Sequence, residues 1–211
     1  MKRPVKRRNA QKSKKLILDC ATELFSKKGY SRTSMDELAT LCDLNKAMIF
    51  YYYDSKRGLY EAVIVEVLDE IYDTIVRENE NHKTPSQELE SFIKTYASFA
   101  FSHPYLPALL LKELSDSGSQ IPKTLFVHMK KLYMLFIDIM ERGVEKGCFE
   151  DVIPMIVYFM ILGTLNLMVT TKPIRVKAQE VDGIDTCALC DADLISQYVF
   201  KKIEKMLKDK E

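Results

Sequence analysis

Four aromatic residues stand in a row at Phe50, Tyr51, Tyr52 and Tyr53, with Lys46 before them and Lys56 after. Two kinds of chemistry suit such a run. In one, the rings pack together as a buried aromatic knot. In the other, they form a surface that meets phosphate: Tyr hydroxyls and Lys ammonium groups reach phosphate oxygens, and apolar rings meet base edges and thymine methyls. A second reactive pair is Cys187 and Cys190 in the stretch CALC. A Cys-x-x-Cys serves as a redox couple or as half of a zinc site, and it also arises as two incidental loop thiols. Zinc needs four ligands, and the sequence holds no second such pair, although Asp185, Asp191 or a second chain could contribute. The incidental reading is preferred here, with a thiol-redox-sensing role as the alternative. No Gly-rich phosphate loop, zinc-protease helix or Ser/His/Asp grouping occurs, and there are only three His. The expectation is therefore no enzyme, no cofactor and no metal.

The charge distribution favours the phosphate reading of the aromatic run. Residues 1–59 carry 14 Lys/Arg against 6 Asp/Glu, and residues 60–211 carry 17 against 24. A basic head on an acidic body suggests that the head meets a polyanion. The opening MKRPVKRRNAQKSKK by itself reads as a solvated tail, and residues 1–12 are expected to be a disordered basic arm. No apolar segment follows it, so no signal peptide is read, and with five Cys, an odd number, a reduced cytoplasmic protein is expected. The most apolar run, Ile156–Val169, has 14 residues and includes Gly163, Thr164 and Asn166. A spanning helix needs about 20, so this reads as a buried helix and no membrane partner is expected.

The elements that must hold the aromatic run are helical. Leu16, Ile17, Cys20, Ala21, Leu24 and Phe25 follow the spacing of one helix face, and Gly29 is placed to end that helix. Ser34 with Glu37 forms a capping box for a second helix, whose apolar positions are Met35, Leu38, Ala39 and Cys42. Asp43 and Leu44 break it. Asn45 is a suitable N-cap for a third short helix over roughly 46–52. Asp54–Lys56 cap a fourth and long helix ending near Arg77. Five more helical patterns follow, the fifth helix stopped by Pro104. The last two are Asp151–Thr170 and, after a polar loop, a helix from about Asp191. The fold class is all-α with about nine helices. The division is a DNA-binding domain at 13–59 and a helical body at 60–211.

A short capped helix, a three-residue turn and a second short helix make a helix-turn-helix. Leu44, Ile49 and Tyr53 can face inward against Leu38 and Leu24. Lys46, Ala47, Met48, Phe50, Tyr51 and Tyr52 are then left largely outward. An exposed face of aromatics and Met needs a partner, and a helix fits the DNA major groove. So the aromatic run is expected to split, with Tyr53 in the core and the other three facing DNA. A helical adaptor that binds protein through the same face is the competing reading.

The stretches ATELFSKKGYSRTSMDELA and LNKAMIFYYYDSKRGLYEAV resemble the TetR family of transcriptional regulators, over residues 14–65. The resemblance implies that Ser34 caps the second helix and touches a phosphate. Lys46, Ala47 and Met48 would begin the recognition helix, Phe50 would approach a base, and Tyr51, Tyr52 and Lys56 would bind phosphates. Four positions depart from the family pattern. Phe50 stands for the usual Tyr, Asp43 for the turn Gly, Cys42 for a small Ala, and Gly58 for a charged residue. Asp43 would have to accept a left-handed conformation, which Asp tolerates.

The resemblance also implies a C-terminal ligand-binding and dimerisation body. The whole would be a ligand-responsive repressor that binds a palindromic double-stranded DNA operator as a homodimer and is released by a small-molecule inducer. The residues add two hints. The apolar run 156–169 and the last helix (Leu194, Ile195, Tyr198, Val199, Ile203, Met206, Leu207) could pair with a second copy in a four-helix interface, with Leu165 and Val199 as test positions. An aromatic and Met-rich middle offers Tyr96, Phe99, Tyr133 and Phe136 as candidates for an apolar or amphipathic ligand.

Overall fold

In the structure, a computed structural model, residues 4–81, 84–115, 123–183, 187 and 190–208 are described. Among them are ten helices and no strand: α1 (Pro4–Arg32), α2 (Met35–Cys42), α3 (Lys46–Tyr53), α4 (Lys56–Asn79), α5 (Pro85–Ser102), α6 (Tyr105–Ser115), α7 (Lys123–Glu145), α8 (Pro154–Thr170), α9 (Lys172–Asp182) and α10 (Ala192–Lys208). The chain forms two compact units, residues 1–67 and 68–211. The boundary falls inside α4, not between helices. Its buried residues are Leu59, Tyr60, Val63, Ile64 and Val67 before the boundary and Leu68, Ile71 and Ile75 after it.

Two expectations about helices need correction. The residues from Pro4 onward, read as a disordered arm, continue α1 as helix; residues 1–3 lie outside the described ones. Proline suits a first helical position, where its missing N–H would be an orphan in any case, and no glycine follows until Gly29. The polar loop expected after α8 holds an additional helix, α9. Its Ile174 and Val181 are exposed, so no apolar stripe marks it. It depends on its ends: Pro173 sits in the first turn, and Gly183 caps the last in the left-handed conformation.

In the first unit α1 contributes Ile17, Cys20, Ala21, Leu24 and Phe25 to the core, and α2 contributes Met35, Leu38 and Cys42. Ile49 and Tyr53 of α3 and Leu59, Tyr60, Val63 and Ile64 of α4 complete it. Each fully buried Leu, Ile or Phe stabilises by roughly 1.5–3 kcal/mol relative to exposure. Gly29 has the positive φ (76°) that breaks α1 near its end, as its placement predicts. Thr33, which is buried, donates its hydroxyl to the Gly29 carbonyl at 3.0 Å and so fixes the entry into α2.

In the second unit α5 lies at the centre and packs on α7, α8 and α10. Phe92 meets Phe136 at 5.3 Å, and Phe136 and Tyr133 both meet Tyr158. Arg142 of α7 grips Glu88 of α5 through both nitrogens, and Glu88 is buried. That ion pair, together with Asp138, raises the Arg142 pKa further. Gly143 makes room for the Phe149 ring, which a Cβ there would overlap.

The outer face of this unit is unusually apolar. Ile156, Phe159, Met160 and Leu167 of α8 are exposed, as are Leu194 and Tyr198 of α10, with Phe159 at 56% and Tyr198 at 62%. The last helix therefore does not present all its apolar residues on one side. Ile195, Val199, Ile203 and Leu207 point into the subunit, and Leu194, Tyr198 and Met206 point away. Leu165 and Val199, named above as interface test positions, are buried within the chain itself. An apolar stripe on a helix that is hydrophobic all round does not reveal which part meets its own core. No single helix among the described residues is long and apolar enough to cross a membrane, and a 58° bend separates α8 from α9.

Candidate nucleic-acid interface

The turn between α2 and α3 forms as its residues dictate. Ser34 accepts a hydrogen bond from the Glu37 N–H at 3.1 Å. The reciprocal half of the capping box is absent, because the Glu37 carboxylate pairs with Lys28 instead. Asp43 ends α2 in the left-handed conformation (φ 52°), and its N–H bonds back to the Ala39 and Thr40 carbonyls. Asn45 caps α3 by accepting from the Ala47 N–H at 2.9 Å.

These caps fix which side of α3 faces inward. Ile49 and Tyr53 are buried. The Tyr53 hydroxyl donates to the Lys14 carbonyl at 2.9 Å, and burial pushes its pKa up. Leu44, expected inside, is half-buried. Outward lie Ala47, Met48 (40% exposed), Phe50 (37%) and Tyr51 (80%). Tyr52 is half-buried, with its ring edge-on to Tyr51 at 5.3 Å. So the run divides between core and surface, and Tyr51 is its most exposed ring.

The cations have partners that the sequence did not reveal. Lys46, half-buried, pairs with Asp36 of α2 at 2.8 Å. Lys56, also half-buried, lies over the Tyr30 ring at 4.3 Å and reaches the Ser31 carbonyl at 3.5 Å. Exposed ion pairs are worth about 0–1 kcal/mol, so Asp36 holds Lys46 in place without locking it away from a phosphate. Tyr30 was missed as a supporting residue. Its position directly after the helix-ending Gly29 was the available signal. It stacks on Tyr60 at 4.5 Å and so joins the α1 end to the α4 start.

The link from α3 to α4 is tight. Asp54 has a positive φ of 57°, and Ser55 caps α4 by accepting from the Gly58 N–H at 2.9 Å. A Cβ on Gly58 would lie 2.4 Å from the Tyr53 carbonyl oxygen. Gly58, a departure from the family pattern, is what allows the end of α3 to sit this close to α4.

The four ligand candidates do not form one group. Tyr133 and Phe136 share Tyr158 as neighbour, and Tyr96, fully buried, donates to Asn166 of α8 at 2.9 Å. Phe99 is half-buried and stacks on His103 at 5.9 Å, nearer the end of α5. Two of the histidines in this unit have hydrogen-bond partners: His103 Nδ1 with the Phe99 carbonyl, and His128 Nδ1 with Asp69 at 2.6 Å. Two surface clefts, of about 410 and 360 Å³, are lined by other residues.

Comparison with known proteins agrees with this geometry. Residues 17–63 match the family described as bacterial regulatory proteins, tetR family, and residues 64–181 match the C-terminal region of YsiA-like proteins. The probable HTH-type transcriptional regulator YttP of Bacillus subtilis is 28% identical over 163 residues, covering 76% of this chain and 78% of that one. The HTH-type transcriptional repressor NicS of Pseudomonas putida is 24% identical over 163 residues, covering 76% and 77%. Among solved structures, the fatty acid degradation regulator FadR of Bacillus halodurans superposes with a TM-score of 0.72 at 18% identity, covering 92% of this chain and 98% of that one. FadR of Bacillus subtilis, solved in complex with stearoyl-CoA, gives 0.70 at 17% identity, with 92% and 98% covered. With a capped helix-turn-helix at its head and both stretches matched, the chain belongs to the tetR family of bacterial transcriptional regulators.

Proposed function

We propose that the protein is a repressor that binds a palindromic operator as a homodimer and lets go when an apolar or amphipathic small molecule binds its helical body. The outward face of α3 carries this reading. Met48, Phe50 and Tyr51 are exposed on a helix anchored from behind by Ile49 and Tyr53. An eight-residue helix with that face suits the major groove, where uncharged side chains read base edges and thymine methyls. Ala47 is small enough to let the start of α3 approach closely. Ser34, Lys46, Tyr51, Tyr52 and Lys56 ring that face with hydroxyls and ammonium groups for phosphates.

The exposed apolar faces of α8 and α10 support the dimer. Two copies of that pair can form a four-helix interface, and a two-fold dimer meets a two-fold operator. For the effector, Tyr96 and Asn166 supply a buried polar pair among the aromatic rings of the body, and Phe99, Tyr133 and Phe136 supply apolar surface. A ligand acts only by binding the non-DNA state better. A long-chain acyl-CoA is the first probe to try, since a fold neighbour was solved with one.

The test is a gel shift against the DNA upstream of the protein's own gene, over a range of salt, with and without stearoyl-CoA. A saturable, sequence-selective shift is expected. Equal affinity for operator and random DNA would remove the repressor reading in favour of a helical adaptor. An operator shift that no apolar effector weakens would leave the DNA reading and remove the inducer.

A further inference from the structure

The CALC thiols are joined. Cys187 and Cys190 form a disulfide with their Cα atoms 5.1 Å apart, inside the range that a bridge requires; Ala188 and Leu189 lie outside the described residues. Among the described residues no third His, Cys, Asp or Glu converges on the pair, and Asp185 lies outside them. The other three Cys differ in kind. Cys20 and Cys42 are buried in the first unit, where burial and the Cys20 thiol push Cys42 up to about 12. Cys148 is half-buried in a separate cleft, with Ser86 and Lys208. Only Cys187 and Cys190 combine a partner sulfur with access to solvent, both being half-buried.

The pair occupies a mechanically informative place. Cys187 has a positive φ of 54°, a conformation that a side chain other than Gly, Asn or Asp seldom adopts. Its carbonyl accepts from the Cys190 N–H at 3.2 Å and from Arg175 of α9. Arg175 also donates to the Met168 carbonyl of α8 and to the Thr171 hydroxyl, so one guanidinium ties the end of α8 to the disulfide loop. Cys190 directly precedes Asp191, whose carboxylate accepts from the Leu194 N–H at 2.9 Å and caps α10. The disulfide thus closes a turn whose far end is the cap of α10.

We infer that Cys187 and Cys190 are a reversible two-electron redox site, a substrate for small disulfides such as oxidised glutathione, and that its state sets the order of the first turn of α10. Oxidation proceeds by exchange. The Cys190 thiolate attacks one sulfur of the small disulfide and expels a thiolate, giving a mixed disulfide. The Cys187 thiolate then attacks the Cys190 sulfur and expels the second. The protein loses two electrons and two protons, and the small disulfide becomes two thiols. A thiol next to a helix N-terminus is the better nucleophile, because the helix dipole favours its thiolate. Reduction frees Cys187 from its left-handed turn and loosens the hydrogen bond that its carbonyl accepts from Arg175.

The test begins with the unmutated protein. The full chain is equilibrated in buffers of reduced and oxidised glutathione, alkylated, and mapped by mass. Cys187 and Cys190 should pass together between free and bridged forms through one reversible two-electron midpoint, while Cys20 and Cys42 stay unreacted. Amide exchange at residues 194–196 should be at least tenfold faster in the reduced form and similar in both forms along α5. The Cys187→Ala, Cys190→Ala double variant should exchange like the reduced protein at every glutathione ratio. A pair that never bridges, or that bridges only beyond recovery by reduced glutathione, overturns the site. A reversible pair with identical exchange at 194–196 overturns its coupling to α10. Neither readout depends on DNA binding or on the oligomeric state, so the repressor reading stands or falls separately.

Discussion

Two surfaces of this protein expose apolar side chains, and they differ in what surrounds them. On α3, Met48, Phe50 and Tyr51 stand beside Lys46, Tyr52 and the Asn45 cap, and the helix is only eight residues long. On α8, Ile156, Phe159, Met160 and Leu167 stand on a 17-residue helix that carries no charged residue at all. The first surface mixes apolar groups with donors and cations, as a partner with bases and phosphates requires. The second can only be satisfied by another apolar surface, and a copy of itself is the one always at hand. Exposure of hydrophobic groups marks both as binding faces; the neighbouring polar groups separate their partners.

The largest effect should come from charging the α8 face. Phe159→Glu should turn the proposed dimer into a folded monomer and lower affinity for the proposed palindromic operator by more than a hundredfold, because each half-site then binds alone. Sedimentation and circular dichroism would check both parts, and an unchanged dimer would remove α8 from the interface. Leu165→Glu, one turn and a half further on but fully buried, should instead unfold the body.

Next comes the support beneath α3. Gly58→Ala brings a Cβ against the Tyr53 carbonyl, with a cost of about 1–3 kcal/mol for overpacking. Thermal melts should show the DNA-binding unit weakened, with DNA affinity falling alongside. A variant that melts and binds like the parent would mean that the close approach is dispensable.

Smaller and more selective losses are expected on the α3 face. Met48→Ala or Phe50→Ala should each cost about 1–3 kcal/mol on the operator and little on random DNA, with the salt slope retained. Both are outward, so the fold should survive. Equal weakening on both DNAs would make them positioning residues, and base readout would have to lie elsewhere.

The smallest effect belongs to Lys56→Gln. It should weaken all sequences alike and flatten the salt slope by roughly one unit. Because Lys56 also rests on Tyr30, a loss of about 0.5–1 kcal/mol in stability should accompany it. If stability falls and the salt slope does not change, Lys56 serves Tyr30 alone.

Local rules carried the reading of the first unit a long way. Gly29, Ser34, Asn45 and Asp43 each act within four residues of their partners, so their roles as terminators and caps were legible from spacing. The 3.6-residue period sent Ile49 and Tyr53 inward and Phe50 and Tyr51 outward for the same reason. Leu44, expected inside, is half-buried, because it lies in the turn, where that period no longer applies. What escaped were pairings between elements: Asp36 with Lys46, Tyr30 with Lys56, and Glu37 choosing Lys28 over its own helix end.

The sequence by itself determined an all-helical chain with a helix-turn-helix at its head, because periodicity and caps are properties of neighbours along the chain. It also determined that the runs around 156–169 and 194–207 must be covered by something apolar. Only the tertiary structure decided what covers which residue. Leu165 and Val199 turned to their own core while Phe159 and Tyr198 turned away: α8 is apolar all round, and α10 has apolar residues beyond its inward face, so neither pattern names the side that meets the core. The same holds for Cys187 and Cys190, whose spacing allowed a bridge, zinc ligation or neither. Which occurred depended on a backbone turn and an arginine from another helix, which no local spacing encodes.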